Sequence, residues 1–130
     1  MKTIVILDDE FGLTDVLAAA LTSEGFLVYT GDDGARGLAL IVQHVPDLVI
    51  LDCMMPLLDG PGVLRAMRAD GALARIPVVM MSSLPEAAVG RQCAGLSAFL
   101  RKPFLVEAML EAVKGAIGDE GAVSQTSLGG

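Results

Sequence analysis

Pro46-Asp47-Leu48-Val49-Ile50-Leu51-Asp52 decides the fold. The apolar residues in this stretch follow one another without a polar interruption. A strand of that kind is buried on both faces, as in a parallel sheet covered by helices on two sides. Asp47 to Leu51 is the strand, and the run stops on a carboxylate, Asp52. In an open parallel sheet, ligands bind in the crevice beyond the carboxyl ends of the strands, so an acid at that point faces the binding edge.

The same grammar repeats on either side. Thr3 to Leu7 is an apolar run that ends at Asp8-Asp9, and Phe26 to Thr30 is a second. Ile76 to Met81 ends at Ser82-Ser83, and Ala98 to Leu100 leads to Lys102-Pro103. Helical spacing fills the gaps. Gly12 to Glu24 carries Leu13, Val16, Leu17, Ala20 and Leu21 on one face, with Phe11, Ala18, Ala19 and Thr22 expected off it, and Gly25 stops it. Gly31-Asp32-Asp33-Gly34 is a turn that caps a helix from about Ala35 to His44, ended by Pro46. Pro61 stands near the first position of a third helix. Pro85 to Cys93 and Phe104 to about Ile117 are the remaining two, and there are no internal repeats. Alternating strands and helices predict an α/β fold, a doubly wound parallel sheet with right-handed crossovers. Residues 118–130 are rich in Gly and Ser, and a flexible tail is expected there.

The 130 residues suit one domain, and more than half are hydrophobic, enough for a real core. The net charge of −7 comes from 9 basic and 16 acidic residues, with no basic cluster of the kind that nucleic-acid binding needs. The two cysteines, Cys53 and Cys93, have neither metal-type spacing nor the number for a disulfide framework, so a reduced, cytoplasmic setting is the default. Nothing marks Cys53 as an activated thiolate. The short apolar run after Met1-Lys2 meets Asp8-Asp9-Glu10 at once, unlike a signal peptide, and no stretch is long enough to span a membrane.

Three carboxylates, a hydroxyl and a lysine should therefore meet at one sheet edge. Adjacent carboxylates repel by roughly 1–4 kcal/mol at surface-like dielectric constants. Asp8 and Asp9 sharing a pocket with Asp52 call for a hard cation, and magnesium suits oxygen donors and phosphate. Equally, the pair reads as a solvated acidic helix start. Asp52 alone would pass as a loop residue. The run Met54-Met55-Pro56 with Asp59-Gly60 makes it more specific, because Pro56 and Gly60 shape a tight loop. Such a loop could present a backbone carbonyl near Met54 to a metal and the Asp52 carboxylate as a nucleophile. The plain reading of the methionines is core packing. Ser82 either donates a hydrogen bond to a phosphoryl oxygen or caps a helix, a role open to Ser83 as well. Lys102 is either a point charge for a phosphoryl group, aimed by Pro103, or a surface lysine. Phe99 is either core or a rotameric switch. His44, the only histidine, sits near a helix end and reads as a cap or solvent residue.

As an ordered set, these segments resemble the receiver domain of two-component response regulators, over about Met1 to Ile117. The resemblance implies a flavodoxin-like five-stranded sheet of order 2-1-3-4-5 with helices on both faces. It implies a receiver domain over residues 1–117 and a protein that catalyses only its own phosphorylation and dephosphorylation. Asp52 would accept a phosphoryl group from a histidine kinase or a histidine phosphotransfer protein. Asp8, Asp9, Asp52 and the backbone carbonyl of Met54 would hold Mg²⁺. Ser82 and Lys102 would contact the phosphoryl group, and Phe99 would turn inward behind Ser82. A downstream protein would read the fourth helix, fifth strand and fifth helix, about Pro85 to Ile117. The first helix commonly docks the histidine-bearing partner, which assigns that role to Phe11.

Particular residues refine this expectation. Met54, two after Asp52, and Leu84, two after Ser82, are apolar where an attacking water would be held, so self-dephosphorylation should be slow. Leu96-Ser97-Ala98 lacks the acids that transcription-factor receivers often show there, which weakens a charged dimer and the DNA-binding reading. The expected protein is a single-domain, chemotaxis-regulator-like switch, monomeric or weakly dimeric, with no direct contact to nucleic acid or membrane. The alternatives are a phosphorelay shuttle and the receiver fragment of a longer DNA-binding regulator. A flavodoxin would need a hydroxyl- and Gly-rich loop where Asp8-Asp9-Glu10 stands. A haloacid-dehalogenase-type phosphatase would need an acid in place of Met54.

Overall fold

β1 (Thr3–Leu7), β2 (Leu27–Gly31), β3 (Leu48–Asp52), β4 (Val78–Ser82) and β5 (Ala98–Arg101) pair in parallel in the order β2-β1-β3-β4-β5. The register sets Leu7 beside Leu51 and Gly31, Asp52 beside Met81, and Ser82 beside Arg101. The structure, a computed structural model, describes residues 1–90 and 93–118. The expected tail falls almost wholly outside the described residues.

The strands alternate between two cores. Val5, Leu7, Val49, Leu51, Val78 and Met80 pack on one side. They meet Ile41 of α2 (Gly34–His44) and Val63, Leu64 and Met67 of α3 (Gly60–Ala69). Ile4, Ile6, Leu48, Ile50, Val79 and Met81 pack on the other. They meet Leu17 and Leu21 of α1 (Phe11–Ser23) and Met109 and Val113 of α5 (Val106–Ile117). Burying each such side chain contributes about 1.5–3 kcal/mol, and this two-sided burial is why β1, β3 and β4 read as apolar runs.

Element ends differ from the sequence reading for physical reasons. β4 starts at Val78, because Pro77 has no N–H for the ladder. β3 and β4 each run one residue further, so Asp52 and Ser82 are their last residues. α2 starts at Gly34, capped by Asp33, whose Oδ1 accepts from the Arg36 N–H at 2.7 Å. It ends at Val45, at φ +41°, since the following Pro46 disfavours a helical residue before it. Gly25 takes φ +95° after α1, as a terminating glycine does. α4 is only Glu86–Val89, shorter than the expected Pro85–Cys93, with Gly90 following at once. Cys93 lies buried in the core, whereas residues 91–92 fall outside the described ones. α5 begins at Val106 instead of Phe104, because Leu105 is still extended after a cis Lys102–Pro103 bond.

α1 corrects the expected helix face. Val16 is 51% exposed, and Thr14 is buried in its stead. Ala18, expected off the buried face, packs half-buried against the core. The buried positions 14, 17, 18 and 21 form a proper helical stripe that Val16 lies opposite. The Thr14 hydroxyl donates to the Glu10 carbonyl at 2.9 Å, which satisfies it in the interior.

Gly60 is dictated by closeness. A Cβ on Gly60 would run into the Asp52 carbonyl oxygen and the Cys53 Cα. Its N–H donates to the Cys53 carbonyl at 2.9 Å, and Asp59 Oδ1 caps α3 through the Gly62 N–H at 2.8 Å. The β3–α3 loop thereby folds tightly back over the end of β3.

Candidate functional site

Backbone bonds carry the site residues just beyond the strand ends. The Asp8 N–H donates to the Gly31 carbonyl at 3.1 Å, Cys53 N–H to Met81 carbonyl at 2.8 Å, and Lys102 N–H to Ser82 carbonyl at 2.8 Å. Three loops from distant parts of the chain therefore open at one edge. Asp8, Asp9 and Asp52 each bring a carboxylate oxygen there, all within 4.8 Å of one another. Asp8 and Asp52 are buried and Asp9 is exposed.

Lys102 offsets this charge. Its Nζ donates to Asp8 Oδ2 at 2.8 Å and Glu10 Oε1 at 2.9 Å, and lies 3.2 Å from Asp52 Oδ1. Burial pushes the Asp52 carboxyl up to about 6; the Asp8 charge adds to the rise and the Lys102 ammonium opposes it. Burial works to lower the Lys102 pKa, but its hydrogen bonds to Asp8 and Glu10 and the charges of Asp52 and Asp8 outweigh this and push it above the usual lysine range. Lys102 is thus a permanent cation, and Asp52 is a carboxylate held near its protonation point.

The donor set fits a small hard cation. Octahedral Mg²⁺ with bonds of 2.0–2.1 Å spans about 4.1 Å between opposite ligands. The three oxygens lie within 4.8 Å of one another, a spacing from which they could close on one such ion. Asp8 is already oriented, since its Oδ1 accepts from the Glu10 N–H at 2.9 Å.

The remaining expected residues surround this centre. Ser82 is buried at the end of β4, and its hydroxyl accepts from the Leu84 N–H at 3.0 Å. This is a local turn, not the cap of α4, which begins after Pro85 without a side-chain cap. Met54 and Leu84, 63% and 43% exposed, line a cleft of about 560 Å³ with Asp9, Cys53, Pro56 and Asp59. Pro56 accepts the Leu58 N–H at 2.8 Å around Leu57, which sits at φ +71°. Burial pushes the Cys53 thiol pKa up, against a hydrogen bond from Ser82, which agrees with an inert thiol. Phe99 is half-buried against the α2–α3 side of the core. Phe11 stands at the start of α1 with 75% of its surface exposed. His44 stacks on Tyr29, with ring centroids 3.7 Å apart and planes 13° apart, away from the carboxylates.

Two contributors escaped the sequence reading. Glu10 directly follows the acid pair, and its bond to Lys102 spans 92 residues, so nothing local announces it. Thr14 is absent from the face read for α1, although its spacing from Leu17 and Leu21 fits that face.

The chain matches the family described as response regulator receiver domain over residues 4–114. Among curated proteins, the DNA-binding dual master transcriptional regulator RpaA of Synechocystis sp. is 39% identical over 116 residues, 88% of this chain and 48% of the relative. Response regulator MprA of Mycobacterium sp. is 35% identical over 111 residues, 82% of this chain and 46% of the relative. The chain spans about half the length of the curated relatives it matches. Among solved structures, the receiver domain of the sensor histidine kinase PA1611 of Pseudomonas aeruginosa superposes with a TM-score of 0.82 at 26% identity, covering 90% of this chain and 98% of that one. That structure has a magnesium ion coordinated in its active site cleft. Chemotaxis protein CheY4 of Vibrio cholerae gives 0.83 at 24% identity, over 89% and 98%, and shows the shared fold.

Proposed function

The chain belongs to the response regulator receiver domain family, and from that premise we propose that it is a Mg²⁺-dependent phosphoacceptor switch with Asp52 as the acceptor. The observation that carries this reading is the convergence of Asp8, Asp9 and Asp52 on one point with Lys102 Nζ among them.

In the proposed reaction, an Asp52 carboxylate oxygen attacks the phosphorus of a phosphohistidine donor. The new O–P bond forms as the N–P bond breaks, and the electron pair returns to the imidazole. Asp8, Asp9, Asp52 and the carbonyl of Met54 would hold Mg²⁺, which supplies charge neutralisation for the phosphoryl oxygens. Lys102 turns from Asp8 and Asp52 to the phosphoryl group, and the Ser82 hydroxyl leaves the Leu84 N–H to donate to it. Phosphorylation adds about −1.5 to −2 charges and new acceptor oxygens, so both residues gain partners that exist only in the modified state. That difference shifts a two-state equilibrium. Phe99 would follow Ser82 inward and alter the surface of α4, β5 and α5, where a downstream protein binds. The only chemistry is the protein's own phosphorylation and dephosphorylation, in the cytoplasm. RpaA is described as DNA-binding and is about twice the matched length, which supports a second reading: the receiver part of a longer transcriptional regulator.

The test is intact mass after acetyl phosphate treatment, with and without Mg²⁺, on wild type and Asp52→Ala. The expected result is a Mg²⁺-dependent gain of one phosphoryl group, absent from the variant. No gain, even from a phosphorylated histidine donor, overturns the reading. Followed in time, the adduct should persist for minutes or longer, because Met54 and Leu84 offer no polar atom to align a water. A half-life of seconds with Mg²⁺ present removes that explanation.

The exposed Phe11 is the proposed docking residue for the donor. Phe11→Asp should slow transfer from the cognate phosphohistidine donor several-fold while leaving the thermal transition and acetyl phosphate labelling intact. Unchanged transfer kinetics would remove Phe11 from the interface.

A further inference from the structure

Glu10 has no part in the acceptor chemistry proposed above, yet it holds one of the three carboxylates on Lys102. Its Oε1 lies 2.9 Å from Nζ, nearly as close as Asp8 Oδ2 at 2.8 Å and closer than Asp52 Oδ1 at 3.2 Å. The three carboxylates differ in standing. Asp8 and Asp52 are enclosed, with side chains 0% and 7% exposed, whereas the Glu10 side chain is 62% exposed and stands outside the cluster that Asp8, Asp9 and Asp52 form among the described residues. Glu10 and Lys102 together line a separate cleft of about 370 Å³ with Leu13, Ser83, Pro103 and Phe104. Glu10 also makes no side-chain cap to α1, although it occupies the N-cap position. Its carboxylate is therefore committed to Lys102 and not to the helix.

An ammonium has three N–H donors, and here three carboxylate oxygens surround it. A phosphoryl group on Asp52 needs one of those donors. A divalent cation on Asp8 and Asp52 would take over the charge balance of those two acids. Glu10 then remains as the partner that competes with the phosphoryl oxygens.

We infer that Glu10 is a positioning residue that holds Lys102 in its resting place and competes with the phosphoryl group for the ammonium. It raises the threshold for switching. The inference rests on the acceptor reading of Asp52 and deepens it.

Because Glu10 is solvent-exposed, the competition is modest. An exposed ion pair contributes up to about 1 kcal/mol, a factor of about 5 in an equilibrium constant. The experiment is calorimetric titration of beryllofluoride, a phosphoryl analogue, into the Mg²⁺-loaded protein. Wild type, Glu10→Gln and Glu10→Asp are compared, with thermal unfolding of each as a fold control. Gln removes the charge, whereas Asp keeps the charge but is one methylene too short for the contact. Both variants should bind the analogue about two- to fivefold more tightly than wild type. Tighter binding by Gln with wild-type affinity for Asp would show general charge repulsion and overturn the positioning role. Unchanged or weaker binding by both overturns it as well. Failure of the wild type to bind beryllofluoride at all would instead remove the acceptor reading, and the inference with it. The wild type and the two variants therefore separate failure of the inference from failure of its premise.

Discussion

Lys102→Ala should lower folding stability by about 3–5 kcal/mol at neutral pH without divalent cations, the usual cost of leaving a buried charge unpaired. The side chains it abandons are Asp8, 0% exposed, and Asp52, 7% exposed. Glu10, which faces solvent, loses little. The deficit should shrink when millimolar Mg²⁺ is added, because the same carboxylates then find another cation. It should also shrink toward pH 5, where Asp52 takes up a proton. Urea denaturation midpoints in the four combinations of pH and Mg²⁺ measure this. A deficit insensitive to both would mean that Lys102 stabilises the fold through its methylene packing instead of its charge.

Asp52→Asn should act in the opposite direction while abolishing phosphorylation. The folded protein raises this carboxyl from 3.8 to about 6, chiefly by burial and then by the Asp8 charge. A raised carboxyl means that the folded state holds the proton more tightly than the unfolded chain. Its stabilising contribution is complete below about pH 3.8 and is lost as pH rises through about 6. Above that, the ionised group costs up to about 3 kcal/mol, the equivalent of the rise at 1.36 kcal/mol per unit. Asn cannot ionise, so the variant should exceed wild type at pH 8 and converge on it near pH 4. Mg²⁺ should narrow or reverse the gap, since it stabilises the wild type through a ligand the variant lacks. Unfolding curves across pH 4–8 with chelator, then with Mg²⁺, supply the comparison. Equal stability at pH 8 in chelator would mean that Asp52 is better solvated or paired than its burial implies.

The site was only partly legible in the sequence. The sheet was readable because a strand buried on both faces leaves an unbroken apolar run, and Leu48 to Leu51 does so. The acids at the strand ends were readable because each run stops at a polar residue, so Asp8, Asp9, Asp52, Ser82 and Lys102 were placed at one edge before any contact was known. α1 was less legible. Its Ala- and Leu-rich sequence is apolar nearly all round, so Val16 looked as fit for the core as Leu17, and only packing against the sheet decided between them. The length of α4 was obscured for a related reason: Ala87, Ala88, Arg91 and Gln92 are good helix formers on either side of Gly90, so the sequence gives no clear stop. Glu10 was hidden altogether. An ion pair made across the fold leaves no periodicity, and the sequence reading gave Lys102 to a phosphoryl group instead of to the acids it neutralises in the resting protein.

The lacing of the loops to their neighbouring strands sets the mechanical character of the site. Asp8, Cys53 and Lys102 each donate a backbone N–H across the sheet before their loops turn away. These amide protons should exchange with deuterium on the schedule of the central strands, not of the exposed loops they introduce. The Ser82 carbonyl is the receiving end for Lys102, so a displacement of Ser82 is handed sideways along the sheet to the base of the neighbouring loop. The edge of this sheet behaves as a keyboard whose keys share one rail: each key can tilt, but none can lift alone.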